Sequence, residues 1–329
     1  MKKIAFITGI TGQDGSYLAE LLLEKGYDVH GLIRPSNSPN LTLIEHLLEN
    51  PQTLNPQITL HYGDLLDSVR LMNLIRHISP SEIYNLAAQS HVHYSFDNPQ
   101  YTANVNAIGT VALLEAIKQS DCNIRFYQAS TSEIFGSTPP PQNERSPFTP
   151  RSPYAAAKLM AYWITTNYRE SYGIHASNGI LFNHESPRRS PNFVTRKISL
   201  AVASIKNGVQ KEVKLGNLDA IRDWGYAKEY VEGMWKMLQE PDASDYVLAT
   251  GVGSTVREFA DVAFSHVGLD WREYVKLDAQ LKRPSEVDAI IGDSTKVRER
   301  FGWQPKILWQ DLAKMMVEAD MEKFNSKRA

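Results

Sequence analysis

Four side chains of this 329-residue chain have the types and spacing to move protons around one carbon centre. Tyr154 and Lys158 stand four apart in Tyr154-Ala155-Ala156-Ala157-Lys158, the spacing that puts both on one helix face. An ammonium beside a phenol favours the phenolate and lowers a tyrosine pKa from about 10 towards working pH. Tyr154 then suits a general base that takes a hydroxyl proton while hydride leaves the same carbon. Upstream, Ala129-Ser130-Thr131-Ser132-Glu133 continues an apolar run. If the backbone stays extended through 133, the two-residue period aims Thr131 and Glu133 at one side. The Thr131 hydroxyl can polarise a carbonyl or hydroxyl alongside Tyr154. Glu133 adds a second acid/base group, able to take a proton alpha to a new ketone and help water depart.

Such chemistry needs a hydride acceptor, and the first residues offer a place for one. Thr8-Gly9-Ile10-Thr11-Gly12-Gln13-Asp14-Gly15 follows the apolar run Ile4-Ala5-Phe6-Ile7 and opens an amphipathic stretch. Glycines at 9, 12 and 15 permit a tight turn, close backbone approach to a pyrophosphate and close helix packing, and amides at a helix start bind phosphate. An NAD-preferring fold places a carboxylate about 20 residues further on, at the tip of the second strand. Here Gly31-Leu32-Ile33 leads instead into Arg34, Pro35 and Ser36. An arginine suits a 2′-phosphate, so NADP is the expected cofactor. Asp64, after His61-Tyr62-Gly63, can accept from an adenine amino group. No Cys/His cluster has metal-ligand spacing, and no metal is expected.

The elements that must position these groups alternate along the chain. Strands are expected at Ile4 to Ile7, Tyr27 to Ile33, Ile58 to Tyr62, Glu82 to Leu86, Ile124 to Ala129 and Gly179 to Phe182. Helices are expected after the glycine loop, at Ser68 to Ile78, about Tyr101 to Lys118, and about Tyr154 to Tyr172. That rhythm predicts an α/β fold, a doubly wound parallel sheet of Rossmann type whose strand ends carry the site. After Asn183 the rhythm changes, and His184 to Pro191 reads as a loop. Residues 1–182 are expected to form the cofactor domain, with part of 217–250 returning to it, and 183–329 mainly a smaller α/β substrate lobe. With 42% hydrophobic residues the chain can build a core, and a net charge of -2 argues against a nucleic-acid partner. Anionic ligands must therefore be met by local arginines and helix ends. The lone Cys122 cannot close an internal disulfide, which points to a reducing compartment. The first apolar run is too short for a signal peptide, and no window reaches the roughly 18 apolar residues of a membrane span. A cytoplasmic location is expected.

Taken together, these motifs resemble the extended short-chain dehydrogenase/reductase family, in its water-eliminating branch. The resemblance rests on Ile7 to Leu18, on Phe126 to Glu133, on Pro150-Arg151-Ser152-Pro153-Tyr154 with Lys158, and above all on Asn178 to Arg189 and Phe193 to Ile198. It covers almost the whole chain. Relatives acting on dTDP-glucose typically carry Asp-Glu where this chain has Ser132-Glu133. The resemblance implies a tightly held NADP, whose shell includes Gly9, Thr11, Gly12, Gln13, Asp14, Gly15, Arg34, Ser36, Asp64 and Leu65. It adds Leu86, Ala87, Ala88, Gln89, Ser90, Tyr101, His184 and Arg189, with Tyr154 and Lys158. It further implies a GDP-sugar site of Ser90, Thr131, Glu133, Asn183, Val194, Lys197, Gly216, Asn217, Arg222, Arg283 and Glu286. Arginines make physical sense there, because a diphosphate in a near-neutral protein needs charge-assisted donors.

The implied cycle starts when Tyr154 takes the 4-hydroxyl proton as the C4 hydride leaves, with Lys158 holding the nicotinamide ribose. Glu133 then takes the acidified C5 proton, and water leaves C6 with Thr131 and Glu133 as donors or positioners. Hydride returns to C6 and gives a 4-keto-6-deoxy sugar. GDP-mannose is the favoured substrate; the same chemistry on another GDP-sugar such as a GDP-heptose, or a sugar-nucleotide epimerase, stays open. The family also pairs the helices expected at about 101–118 and 154–172 with their copies in a second subunit. A homodimer is therefore expected, through apolar residues such as Val105, Ile108, Leu113, Tyr162 and Trp163. A homotetramer would use the loop from Arg34 to Asn40, where Pro35 replaces a second arginine usual in the family. Ser190 stands where a glycine is common, and the stretch from Trp271 to Arg283 is shorter than in many relatives.

Overall fold

In the computed structural model, which describes residues 2–48, 58–120, 123–281 and 283–326, contacts divide the chain into two compact units. Cys122 lies outside the described residues. The first unit comprises Met1–Ile134, Ser152–Leu181 and Val231–Tyr246. Its strands are β1 (Ile4–Thr8), β2 (Asp28–Ile33), β3 (Ile58–Tyr62), β4 (Glu82–Asn85), β5 (Arg125–Thr131) and β6 (Ala176–Leu181). These six pair in parallel, in the order β6, β5, β4, β1, β2, β3, and Asp245–Leu248 adds an edge beside β6. Their apolar residues are covered on both faces, as parallel sheets require; Phe6, Ile83 and Phe126 are fully buried. The helix Ser68–Ile78 lays Leu71, Leu74 and Ile75 on this core, and the Asp67 side chain caps its start by accepting from the Arg70 amide at 2.9 Å. The chain winds outwards from β1 to β3, then restarts at β4 on the other side of β1. Such a switch point opens a crevice at the strands' carboxyl ends.

Two expected elements differ in form. The helix expected at about 101–118 is Pro99–Ala103, a wide π turn over Asn104–Ile108, and then Gly109–Lys118. Such turns are rare, and in this one the Asn106 carboxamide grips Gln89 twice, accepting from its amide at 2.8 Å and donating to its carbonyl at 2.9 Å. The strand expected to end at Ala129 runs on to Thr131 and then coils into a 3₁₀ turn, Ser132–Ile134. Thr131 and Glu133 therefore do not share a face by strand alternation, and that expectation is corrected.

The second unit comprises Phe135–Arg151, Phe182–Tyr230 and Val247–Ala329. The helices Val194–Lys206, Val256–Ser265 and Trp309–Ser326 surround a core that includes Ile198, Val202, Trp224, Phe259, Phe264 and Met316. A short sheet centres on β9 (Ile221–Tyr226), and β8 (Val213–Leu215) pairs separately with Val275–Leu277. The loop expected from His184 starts instead as strand β7 (Asn183–Glu185), parallel to β9. Its register sets His184 opposite Gly225, where a side-chain carbon would meet the Tyr230 ring at 2.4 Å. Periodicity cannot show a three-residue strand of polar residues. Among the described residues, no helix is long and apolar enough to cross a membrane.

Candidate active site

The glycine loop turns directly off β1. Gly9 takes φ +74°, and a Cβ there would sit 2.8 Å from the Ala87 amide nitrogen; at Gly15 a Cβ would sit 2.2 Å from the Gly9 carbonyl oxygen. Both sites therefore demand glycine, the first to bring the β1 and β4 ends together and the second to seat the helix Gln13–Glu24 on its own loop. That helix starts at Gly12 with no side-chain cap, so its end presents backbone donors as an anion site does. Beside it, Thr11, Arg34, Ser36 and Asp64 line a cleft of about 540 Å³. The exposed Arg34 guanidinium donates to the Tyr101 hydroxyl at 3.4 Å. The Asp64 carboxylate accepts from the Leu66 amide at 2.9 Å, and Leu65 is buried against Gly109. A close-packed glycine loop, helix-start donors and a cleft with an arginine at its edge fit the phosphates and ribose of a dinucleotide.

Of the β4 end, Leu86, Ala87, Ala88 and Gln89 are half-buried and Ser90 is exposed. The Leu86 and Ala87 amides both donate to the Thr8 hydroxyl at 3.1 Å. Thr131, Glu133, Tyr154 and Lys158 are all buried, with 9%, 8%, 8% and 3% of their surface exposed, so each could act away from bulk water. The 3₁₀ turn places Glu133, whose amide donates to the Thr131 hydroxyl at 3.3 Å. Tyr154 opens the helix Pro153–Tyr172 one residue after Pro153, and its amide donates to the Ser95 hydroxyl at 3.2 Å. The Ser152 side chain caps that helix through the Ala155 amide. One turn on, the Lys158 ammonium donates to the Ala129 carbonyl at 2.9 Å. Burial pulls its pKa down to about 8, and the Asp14 carboxylate holds it partly back up. At neutral pH Lys158 remains mainly a cation inside the protein.

The second unit holds the remaining expected residues. The His184 ring stacks on Tyr230, with centroids 4.9 Å apart, and its Nδ1 lies 2.7 Å from the Phe182 carbonyl oxygen. Arg189 stacks over Phe193 and lies 3.2 Å from the buried Glu185 carboxylate, which also accepts from the Thr195 hydroxyl. Half-buried Asn183 begins β7, and Val194 packs on the unit's core. Lys197 lines a surface cleft with Lys214, and burial lowers its pKa. Gly216 lies against Leu281, where a Cβ would meet the Leu281 carbonyl oxygen at 2.9 Å, and Asn217 accepts from the Asp219 amide. Arg222 is buried, donating to the Ile221 and Val287 carbonyls at 2.8 and 2.9 Å. The Glu286 carboxylate accepts from the Arg283 amide at 2.8 Å, which orders that short loop.

Sequence reasoning passed over several buried polar residues. Asn85 and Gln128 lie in the first unit's sheet, and Asp223 in β9 accepts from Thr250, Gly251 and Gly292. At Asn85 and Gln128 the available signal was a polar residue next to apolar ones in an expected strand, while Asp223 follows Arg222 in a strand that periodicity did not indicate.

A family model described as GDP-mannose 4,6 dehydratase matches residues 6–316. The GDP-mannose 4,6 dehydratase 1 of Arabidopsis thaliana is 55% identical over 326 residues, covering 98% of this chain and 90% of that protein. The GDP-mannose 4,6-dehydratase of Sinorhizobium fredii strain HH103 is 52% identical, covering 99% of each. Among solved structures, the dTDP-glucose 4,6-dehydratase of Bacillus anthracis in complex with NAD superposes with a TM-score of 0.84 at 21% identity, covering 98% of both chains. At that identity the likeness shows the fold.

Proposed function

From the premise that this chain belongs to the GDP-mannose 4,6-dehydratase family, we infer that it is a hydro-lyase converting GDP-mannose to its 4-keto-6-deoxy product. It uses a nicotinamide cofactor, held by the Gly9–Gly15 loop, the Asp64–Leu65 turn, the Leu86–Ser90 segment, Tyr101, His184 and Arg189. When bound, that cofactor supplies the acceptor and donor of the hydride that leaves C4 and returns to C6. The observation that carries the reading is the buried Glu133, in the 3₁₀ turn that follows Thr131. Oxidation or epimerisation at C4 needs one proton-transfer group; eliminating water across C5 and C6 needs another.

In this reading Tyr154 takes the 4-hydroxyl proton, and the Lys158 cation lowers the tyrosine pKa and binds the ribose. Glu133 removes the C5 proton made acidic by the 4-ketone, and Thr131 with Glu133 assists departure of the C6 hydroxyl as water. Asn183, Val194, Lys197, Gly216, Asn217, Arg222, Arg283 and Glu286, together with Ser90, Thr131 and Glu133, bind the GDP-sugar. The test incubates the protein with a panel of GDP-sugars and no added reductant, read by mass spectrometry. GDP-mannose should lose one water; loss of water only from another GDP-sugar would overturn the substrate, and no loss from any would overturn the reaction.

NADP is the cofactor favoured, on the strength of Arg34 at the edge of the Thr11–Asp64 cleft. Arg34→Ala should weaken NADP more than NAD by about 1–3 kcal/mol, the scale of a hydrogen bond to a charged group. Isothermal titration with both cofactors reads this, and equal losses would assign Arg34 to the loop's structure.

A further inference from the structure

We propose that Asn85 and Gln128 are positioning residues, whose side-chain amides form a one-way relay that sets the Lys158 ammonium from the cofactor loop. The proposal rests on the assignment of Lys158 above. The relay begins at Thr8, the last residue of β1, whose hydroxyl accepts from the Leu86 and Ala87 amides at 3.1 Å each. A backbone N–H cannot turn round, so both lone pairs of that hydroxyl are taken and its single proton must point elsewhere. It points at Asn85 Oδ1, 2.7 Å away. With its oxygen fixed, the Asn85 carboxamide presents nitrogen to Gln128 Oε1 at 2.9 Å and to the Thr110 hydroxyl at 3.2 Å. That in turn fixes the Gln128 oxygen end, and leaves its Nε2 to donate to the Ala129 carbonyl at 3.2 Å. The same carbonyl oxygen accepts from the Lys158 ammonium at 2.9 Å. Each amide has one allowed orientation, and the order runs from the glycine loop to the catalytic cation.

Burial makes this arrangement costly unless it serves something. Thr8, Asn85, Thr110 and Gln128 expose at most 2% of their surface, in a core that includes Phe6, Ile83 and Phe126. Apolar residues of the same shape at 85 and 128 would spare the desolvation of two side-chain amides. The polar choice instead ties the ends of β1, β4 and β5, the strands that lead to the Gly9 loop, the Leu86–Ser90 segment and Thr131. A shift of any one strand end breaks a link and loosens the carbonyl that holds Lys158.

The test uses Gln128→Glu and Gln128→Met in the cofactor-loaded enzyme, with kcat and KM for GDP-mannose measured across neutral and alkaline pH. The near-isosteric Gln128→Glu places a carboxylate against the carbonyl that Lys158 shares. The alkaline limb of kcat should move up by about one pH unit, because a nearby anion favours the ammonium. Gln128→Met leaves the buried Asn85 amide one acceptor short, so Tm should fall by about 2–4 °C. Per folded enzyme, kcat should fall about 10- to 100-fold with little change in KM, the scale of a small misplacement of a catalytic group. Unmoved limbs with retained kcat, or losses that track the fraction of folded protein, would overturn the relay. Lys158→Met separates the two possible failures. If it remains active, the Lys158 assignment is wrong; if it is inactive while both Gln128 variants match the parent enzyme, only the relay is wrong.

Discussion

In the proposed cycle Glu133 is the side chain at which dehydration parts from plain oxidation, because only dehydration must take a proton from C5. Glu133→Gln keeps size and hydrogen bonding but cannot accept that proton. It should retain the fold and bound cofactor, and lose elimination by about 10²–10⁴-fold, the usual contribution of a general base. Near-normal release of water from GDP-mannose by this variant would sink the role. Lys158 makes a second prediction through pH. Its pKa is about 8 in the folded chain against 10.5 for a free lysine. Between those values the unfolded chain binds more protons, so stability rises with pH; below pH 8 the buried charge is a full cost. Lys158→Met should therefore be inactive yet more stable at neutral pH, by up to about 3 kcal/mol at 1.36 kcal/mol per pKa unit. That gain should shrink as the pH rises through 8 towards 10.5. Urea unfolding along a pH series checks it; a gain that does not vary with pH would show that Lys158 carries no buried charge.

At the scale of elements, the loop and helix after β1 are held by backbone approach rather than by side chains. A methyl group at Gly15 would lie 2.2 Å from the Gly9 carbonyl oxygen and 2.6 Å from Ile10 Cα, and neither atom belongs to a flexible side chain. Gly15→Ala must push the loop off the helix, costing about 1–3 kcal/mol of stability, the scale of overpacking, and weakening cofactor binding. Thermal unfolding with and without NADPH reads both; an unchanged Tm together with unchanged binding would show that the loop yields freely. The need for glycine at this spacing was legible in the sequence, as was a doubly wound parallel sheet, from the regular α/β alternation. The 3₁₀ turn over Ser132–Ile134 was not legible, because alternation gives no sign of where an extended chain coils, and Glu133 reaches its buried position by that turn. The π turn at Asn104–Ile108 was also hidden, since its apolar pattern reads as ordinary helix. Asn85 and Gln128 were missed because a polar residue inside an apolar strand acquires meaning only when its partners on neighbouring strands are known. Periodicity reports faces, and hydrogen-bond direction is set across strands.

The assembly is a question for the whole molecule, and exposure decides which residues could form it. Of the five apolar residues expected at a subunit interface, Val105, Leu113 and Tyr162 are buried within their own chain and are corrected, while Ile108 and Trp163 remain 49% and 54% exposed. Met160, one helical turn before Trp163 on the helix Pro153–Tyr172, is 43% exposed and widens that apolar surface. Large apolar side chains grouped on neighbouring helices mark a contact surface, and a surface that meets its own copy does so about a two-fold axis. We therefore propose a dimer, with a light-scattering mass of about 74 kDa, twice the 37.1 kDa chain. Trp163→Glu should split it, since each axis-related helix would bring an unpaired carboxylate to an apolar seam. Activity of the separated chain can persist, because Trp163 lies outside the proposed catalytic set. A tetramer would require the loop from Arg34 to Asn40, and Pro35 brings neither charge nor a backbone donor to it. The remaining contacts there would be few and charged, so the tetramer should dissociate as salt rises while the apolar dimer holds. A monomer at micromolar concentration would refute the dimer. A salt-resistant tetramer would show that the second interface does not depend on the charge that Pro35 removes.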